Sequence, residues 1–235
     1  MIATSLKIIR ENYLFYLFFA AVMLALTALS YSGVLSGSIG ITTLFLWQLF
    51  ARFVTRSALL GVKFTERNPD GGTDNVVDSF ILKAIGLAVA SFIIALPFML
   101  VAFWNQVLAS EDPSADVFIT IMIIIFVSYS AVLGVAGSWL PATLGSDRRS
   151  LTDAIGRAPA TFLPVFVRVL PALLIGTLAQ IPVVMLGTDS PIGGVILSAV
   201  AILIQCATAT LVSVILTHHY QQFEERLKSG TTQPA

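Results

Sequence analysis

Long apolar runs separated by short polar turns dominate the chain. A helix needs about 20 apolar residues, each rising about 1.5 Å, to cross the hydrocarbon core of a membrane. The runs that reach this length are continuous, which indicates buried helices rather than half-buried strands. Six segments qualify as predicted spans: residues 13–33, 39–60, 84–106, 117–141, 169–187 and 193–217.

The turns between these spans are rich in the Gly, Pro, Asp and Ser that end helices. They are "SGVLSGSIG" (32–40), "NPDGGTDN" (68–75), "SEDPSAD" (110–116) and "GTDSPIGG" (187–194). We therefore predict an all-α fold, a polytopic membrane bundle of six transmembrane helices in a single domain over residues 1–228. The polar residues 229–235 are expected to form a disordered tail.

The start of the chain allows two interpretations, because Lys7 and Arg10 precede an apolar run as they would in a cleaved signal peptide. The run from Tyr13 to Leu29 is long for a signal core, and Glu11 stands at its beginning. This favours a retained first membrane helix.

The amino-acid composition also indicates a chain that lies in a lipid bilayer. Hydrophobic residues make up 57% of the chain and charged residues only 11%, too few to cover the surface of a soluble domain. The mean hydropathy is +0.90. The formal net charge is zero, so bulk attraction to nucleic acid is not expected.

The charges also predict an orientation. Alternate threading of six spans places all 13 Lys and Arg on one side or in the helix ends beside it. The other side carries only acids: Glu111, Asp112, Asp116 and Asp189. By the positive-inside rule the basic side is cytoplasmic, so both termini should lie in the cytoplasm. Membrane lipids are the expected partners, and other membrane-protein subunits are a second expectation.

One cytoplasmic loop, "SDRRSLTDAIGRAP" (146–159), has the pattern of a helix start. Ser150 and Asp153 have the spacing of a capping box, and apolar residues then recur at helical intervals. We expect a short amphipathic helix over 150–167 at the inner membrane surface, with the next span beginning after it. The residues assigned to this interfacial helix are Arg148, Arg149, Asp153, Arg157 and Arg168.

Two regions share a pattern that a parallel internal repeat would produce. "ALLG" (58–61) and "NVVDSFILKA" (75–84) precede Pro97, as "ATLG" (142–145) and "SLTDAIGRA" (150–158) precede Pro171. Both copies would have the same orientation in the membrane. Apolar helices also resemble one another by composition alone, so duplication and chance both stay open.

The region 140–175 resembles a bacterial family of six-helix inner-membrane proteins. That family comprises the YciC-like proteins and the membrane domain attached to some glycerophosphoryl diester phosphodiesterases. The matching residues are Leu140-Pro141, Ser150-Leu151, Asp153-Ala154 and Arg157, whereas Ala158-Pro159 replace the usual aromatic. The resemblance implies a bacterial inner-membrane location and a six-helix architecture, without an assigned activity.

Arg52 and Arg56 are the candidates for contact with an anionic lipid or ligand. Only 13 apolar residues precede Arg52 in its span, about 20 Å of helix, so its position is intramembrane. Arg56 lies one turn further on the same face. Two interpretations stay open: both side chains extend to the cytoplasmic headgroups, or Arg52 faces the interior and binds an anion.

No catalytic, metal-binding or cofactor-binding motif is predicted. The chain has no H-E-x-x-H, G-x-S-x-G or phosphate-binding Gly-Lys loop. His218 and His219 project about 100° apart on a helix, so one metal cannot take both, and they are expected to face headgroups or solvent. Cys206 is expected to be a small buried side chain.

The sequence does not specify an activity. We expect a non-enzymatic multi-pass protein acting as an accessory, scaffold or envelope-maintenance component. The alternative is a carrier or lipid-handling protein with a cavity near Arg52.

Overall fold

The computed structural model describes residues 1–31, 39–66, 76–109, 115–145, 150–180, 182–183 and 191–229. These residues contain eight α-helices and no strand, which confirms the all-α fold class. The helices are α1 Ile2–Glu11, α2 Tyr13–Tyr31, α3 Ile39–Leu60, α4 Val76–Ala109, α5 Ala115–Ala136, α6 Trp139–Gly145, α7 Leu151–Leu178 and α8 Pro191–Lys228. Arg148, Arg149 and the tail after Ser229 lie outside the described residues.

Four helices are long and apolar enough to cross a membrane. The qualifying segments are Ser79–Trp104, Ile119–Ala136, Leu151–Leu178 and Gly193–Lys228. The helix pair Ile2–Glu11 and Tyr13–Leu29, bent by 83°, would add a fifth if it counted as one span. Length and composition therefore fit a membrane protein, and the six-span count stays a prediction.

α1 is a helix of its own, which the pattern of apolar runs does not predict. It ends at Glu11, and the side-chain amide of the next residue, Asn12, donates to the Ile8 carbonyl at 2.9 Å. Ile2 and Leu6 are exposed on one side, and Lys7 pairs with Glu11 at 3.9 Å on another. This arrangement is typical of an amphipathic helix lying across a membrane surface.

The predicted span over 117–141 is interrupted. α5 ends at Ala136, and a turn at Gly137 and Ser138 leads into the short helix α6. A Cβ at Gly137 would lie 2.4 Å from the Leu133 carbonyl oxygen and 2.7 Å from Leu216 Cδ2. A larger residue would not fit at this turn, which connects α5 to α6.

The expectation of a short helix over 150–167 followed by a separate span is wrong, because α7 is continuous from Leu151 to Leu178. Its start is the predicted capping box: Ser150 Oγ accepts from the Asp153 amide at 3.0 Å, and the Asp153 carboxylate accepts from the Ser150 amide at 3.3 Å. α7 contains Pro159, Pro164 and Pro171 without a break. Membrane helices tolerate proline because neighbouring groups compensate for the lost backbone hydrogen bonds.

α8 is the central element of the bundle. It packs against α1, α2, α3, α6 and α7. Its residues enter two hydrophobic clusters, one with Phe80, Leu133 and Val169, and the other with Phe50 and Val54. At about 1.5 Å per residue, the 38 residues of α8 extend about 57 Å, roughly twice the hydrocarbon thickness. A membrane crossing by α8 therefore leaves a substantial part of the helix outside the hydrocarbon.

Two glycines allow helices to approach closely. A Cβ at Gly134 in α5 would lie 2.8 Å from the Phe162 ring, and a Cβ at Gly176 in α7 would lie 2.7 Å from Thr208 Oγ1. Small residues at contacts are the usual way in which membrane helices pack, because lipid gives no hydrophobic drive for their association. Both glycines thus allow neighbouring helices to pack closely.

Candidate functional site

Polar contacts gather at one end of the bundle, which we call the polar end. It comprises Asn12, Leu59–Phe64, Lys83, Ser138–Thr143, Arg157 and Gln221–Glu224. Asn12 Oδ1 accepts from the Phe64 amide at 2.8 Å, and Gln221 Nε2 donates to the Leu59 carbonyl at 3.4 Å. The end of α1, the end of α3 and the end of α8 therefore meet.

Lys83 brings the start of α4 to the same place. Its ammonium group donates to Thr143 Oγ1 at 2.8 Å and lies 4.9 Å from the centre of the Trp139 ring. Thr143 in turn donates to the Trp139 carbonyl at 2.8 Å. This cation is therefore bound by α6.

Arg157 is buried within the polar end, with 2% of its surface exposed. Its Nε donates to Ser138 Oγ at 3.1 Å, and Nη1 lies 3.6 Å from Glu224 Oε1. The guanidinium carbon is 5.5 Å from the centre of the Tyr220 ring. The sequence placed Arg157 near lipid headgroups, and in the structure its partners are protein groups on α8 and in the α5–α6 turn.

The helical register of α7 explains this burial. The buried face of the helix consists of Ala154, Arg157, Thr161, Val165, Val169, Ala172 and Gly176. These positions recur at intervals of three and four residues and therefore lie on one face. Leu151 and Ile155, two of the apolar residues that follow Ser150 at helical intervals, are exposed instead.

The two arginines of α3 differ in their burial and in their contacts. Arg56 is buried, and its Nη2 donates to the Glu66 carbonyl, so it holds the segment after α3 against the helix. Arg52 is partly buried, with its guanidinium carbon 5.7 Å from the centre of the Phe53 ring. Anion binding by Arg52 stays a prediction.

A pocket of about 210 Å³ lies between α7 and α8 beside the polar end. Its walls are formed by Ala160, Thr161, Pro164, Arg168, His218, His219, Gln222, Phe223 and Arg226. Arg168 Nη1 lies 2.6 Å from His219 Nε2. Arginine only donates, so this contact requires Nε2 to accept and the imidazole to be neutral, with its proton on Nδ1.

The two pairings show that α7 and α8 are antiparallel. Arg157 meets Glu224, and Arg168, further along α7, meets His219, which is earlier in α8. The pocket therefore lies deeper in the bundle at Arg168 and nearer the helix end at Arg226. His219 is buried, whereas the sequence analysis expected both histidines to face headgroups or solvent.

The sequence matches no protein-family model, no curated protein and no solved structure. The resemblance of residues 140–175 to the YciC-like family therefore stays a prediction.

A further polar contact joins α2 and α8 within the apolar part of the bundle. The hydroxyl of Tyr16 in α2 is 2.6 Å from Thr210 Oγ1 in α8, and both side chains are buried. Thr210 also donates to the Cys206 carbonyl at 2.7 Å. Cys206 is buried as expected. These groups join helices and leave the hydroxyls satisfied.

Three residues of the pocket, Arg168, His218 and His219, are distinctive in the sequence, but their association is not. The sequence assigns Arg168 to the interfacial helix and predicts that His218 and His219 face headgroups or solvent. Their meeting depends on the register between α7 and α8, which pack against each other. No local pattern encodes that register.

Proposed function

We propose that this chain is a non-catalytic, multi-pass protein of the bacterial inner membrane that acts as a scaffold, accessory or envelope-maintenance component. The observation that carries the proposal is the exposure of large apolar side chains along helices of membrane-spanning length. On α4 alone, Leu82, Phe98, Val101 and Trp104 are each at least 60% exposed. A surface of this kind is stable in lipid and would aggregate in water.

The proposal includes six spans with both termini in the cytoplasm. The meeting of Asn12, Phe64, Lys83 and Arg157 at one end of the bundle supports it, because alternate threading of six spans requires these positions to share a side. The sequence assigns the 13 basic residues to this side, which supports its location in the cytoplasm.

The scaffold role draws support from the use of buried polar groups. Tyr16 bonds Thr210, Arg157 bonds Ser138, and Lys83 bonds Thr143, each across two helices or a helix and a turn. A carrier needs polar groups that face a substrate path. Here these groups fix one helix arrangement, which suits a protein that presents a constant surface to partners.

A reporter fused after Ala235 tests the orientation. A cytoplasmic fluorescent reporter should be active, and a periplasm-dependent phosphatase at the same point should be inactive. An active phosphatase would overturn the proposed orientation.

Purification in native lipid particles tests the role. Mass spectrometry should find another membrane protein at near-stoichiometric amount. Purification of the chain alone, with one lipid enriched over the bulk membrane, would contradict the scaffold role and support the lipid-handling alternative.

One observation favours that alternative, the pocket between α7 and α8. It lies beside Arg168 and not beside Arg52, where the sequence suggested a cavity. Its volume of about 210 Å³ is below the roughly 300–1,000 Å³ of sites that enclose a small ligand. It suits a headgroup-sized anion bound at the surface and not a substrate enclosed for passage.

A further inference from the structure

The pocket between α7 and α8 presents cationic and neutral hydrogen-bonding groups. Arg168 and Arg226 line it with the side chains of His218, His219 and Gln222. Its lining, as far as the structure describes the chain, includes no carboxylate. The Glu225 carboxylate also acts electrostatically on His218, and the two arginines of the lining outnumber it.

The geometry of Arg168 suits an oxyanion. One Nη1–H is directed at His219, which holds the guanidinium in place, and the group has five N–H donors in total. A guanidinium fixed in this way matches the paired oxygens of a phosphate, and Arg226 adds a second charge from the facing helix. Neutral His219 adds no charge but orients the donor.

An exposed apolar stripe on α7 begins beside the pocket. It consists of Leu163, Val167, Ile175 and Leu178, each at least 55% exposed. Leu163 and Val167 are the chain neighbours of the pocket residues Pro164 and Arg168. The stripe continues from the pocket away from the polar end, so a molecule with its anion in the pocket can lay a hydrocarbon chain along α7.

We propose that the pocket between α7 and α8 binds the phosphate of an anionic phospholipid, with Arg168 and Arg226 holding the phosphate and the α7 stripe contacting the acyl chains. Arg168 and Arg226 are then binding residues. The inference goes beyond the scaffold proposal, and it does not depend on which compartment contains the termini.

The experiment measures equilibrium binding by native mass spectrometry of the full chain in a neutral detergent. The probes are short-chain phosphatidylglycerol, short-chain phosphatidylcholine, glycerol phosphate and inorganic phosphate. Phosphatidylglycerol should bind about tenfold or more tightly than each of the others, because it alone combines net negative charge with acyl chains. Equal affinity for inorganic phosphate would overturn the lipid assignment, and equal affinity for phosphatidylcholine would overturn recognition of the anion.

Three variants make the test specific to the pocket. Arg168→Gln and Arg226→Gln should each weaken phosphatidylglycerol binding about tenfold. Lys228→Gln is the matched control, since it removes the same charge from an exposed position on α8 that does not line the pocket. An equal loss in Lys228→Gln would show diffuse attraction and overturn the site.

Thermal unfolding of each variant shows whether a loss of binding comes from a loss of folding. If Arg168→Gln does not fold, Arg226→Gln still tests the pocket, because Arg226 is exposed. The reporter after Ala235 measures orientation independently, so failure of the proposed topology and failure of the binding site give different results.

Discussion

Arg157 and Arg168 lie on one helix, about three turns apart, and the structure gives them opposite environments. Arg157 is enclosed by Ser138, Tyr220 and Glu224, all of them protein groups. Arg168 is exposed, is oriented by His219, and faces a pocket. The comparison shows that two basic residues of one helix can differ in surroundings: one is enclosed by the bundle, and the other is exposed beside a pocket. Sequence position alone does not separate the two environments.

The physical difference is what lies opposite each residue, because 11 residues of a helix make about three full turns and both side chains leave α7 in nearly the same direction. Arg157 falls on the face that contains Ala154 and Thr161, which packs against α5 and α8. At Arg168 the space between α7 and α8 is open as a pocket, so the side chain is exposed. Removing a buried charge leaves its partner without compensation, whereas removing an exposed charge costs little.

The largest expected effect on stability is that of Arg157→Met. The variant leaves the Glu224 carboxylate in the polar end without its ion-pair partner and should lower the free energy of unfolding by about 3 kcal/mol. Denaturation in detergent, followed by circular dichroism, measures the loss. Arg157→Met combined with Glu224→Met is the control, and it should recover most of the stability because no buried charge is then left alone. A double variant as unstable as the single one would contradict the ion-pair account.

Gly137→Ala should have the next largest effect, about 1–3 kcal/mol, because the new Cβ has no room beside the Leu133 carbonyl and Leu216. The substitution strains the turn that presents Ser138 to Arg157. Gly156→Ala on α7 is the matched control, since a Cβ there meets nothing within 4 Å. The control should be neutral or slightly stabilising, as alanine favours helix. Equal stabilities for the two variants would show that the turn is not constrained.

Ser150→Ala should cost about 1 kcal/mol through loss of the capping box. The effect should be local, so amide hydrogen exchange should accelerate in the first turns of α7, which carry Arg157, and not around Arg168. Thr152→Ala, an exposed neighbour outside the capping box, is the control. Unchanged exchange in Ser150→Ala would mean that packing alone sets the start of α7.

The smallest expected effect on stability is that of Arg168→Gln, below about 1 kcal/mol, since the side chain is exposed and glutamine retains a donor for His219. This is the same substitution that should weaken phospholipid binding. The stability of Arg168→Gln should therefore be measured by denaturation next to its lipid affinity and compared with the stability of Arg157→Met. A loss as large as that of Arg157→Met would give Arg168 a structural role.

Local patterns predicted what depends on neighbours in the chain. The bounds 39–60 coincide with α3, and Ser150 with Asp153 forms the predicted cap. The break at Asn12 and the burial of Arg157 were not predictable in this way, because both depend on contacts with distant residues, Phe64 and Glu224. Apolar helices add a second difficulty: residues that face lipid and residues that face other helices have the same hydrophobic character.

The central claim is that the polar end and the predicted turn over 110–116 lie on opposite sides of a membrane. Single cysteines at Ser229 and Ser114, in a chain with Cys206→Ser, test it by labelling with a membrane-impermeant maleimide. The account predicts that the Ser114→Cys variant is labelled in intact spheroplasts and that the Ser229→Cys variant is labelled only after permeabilisation. Labelling of both positions under the same condition would contradict the account.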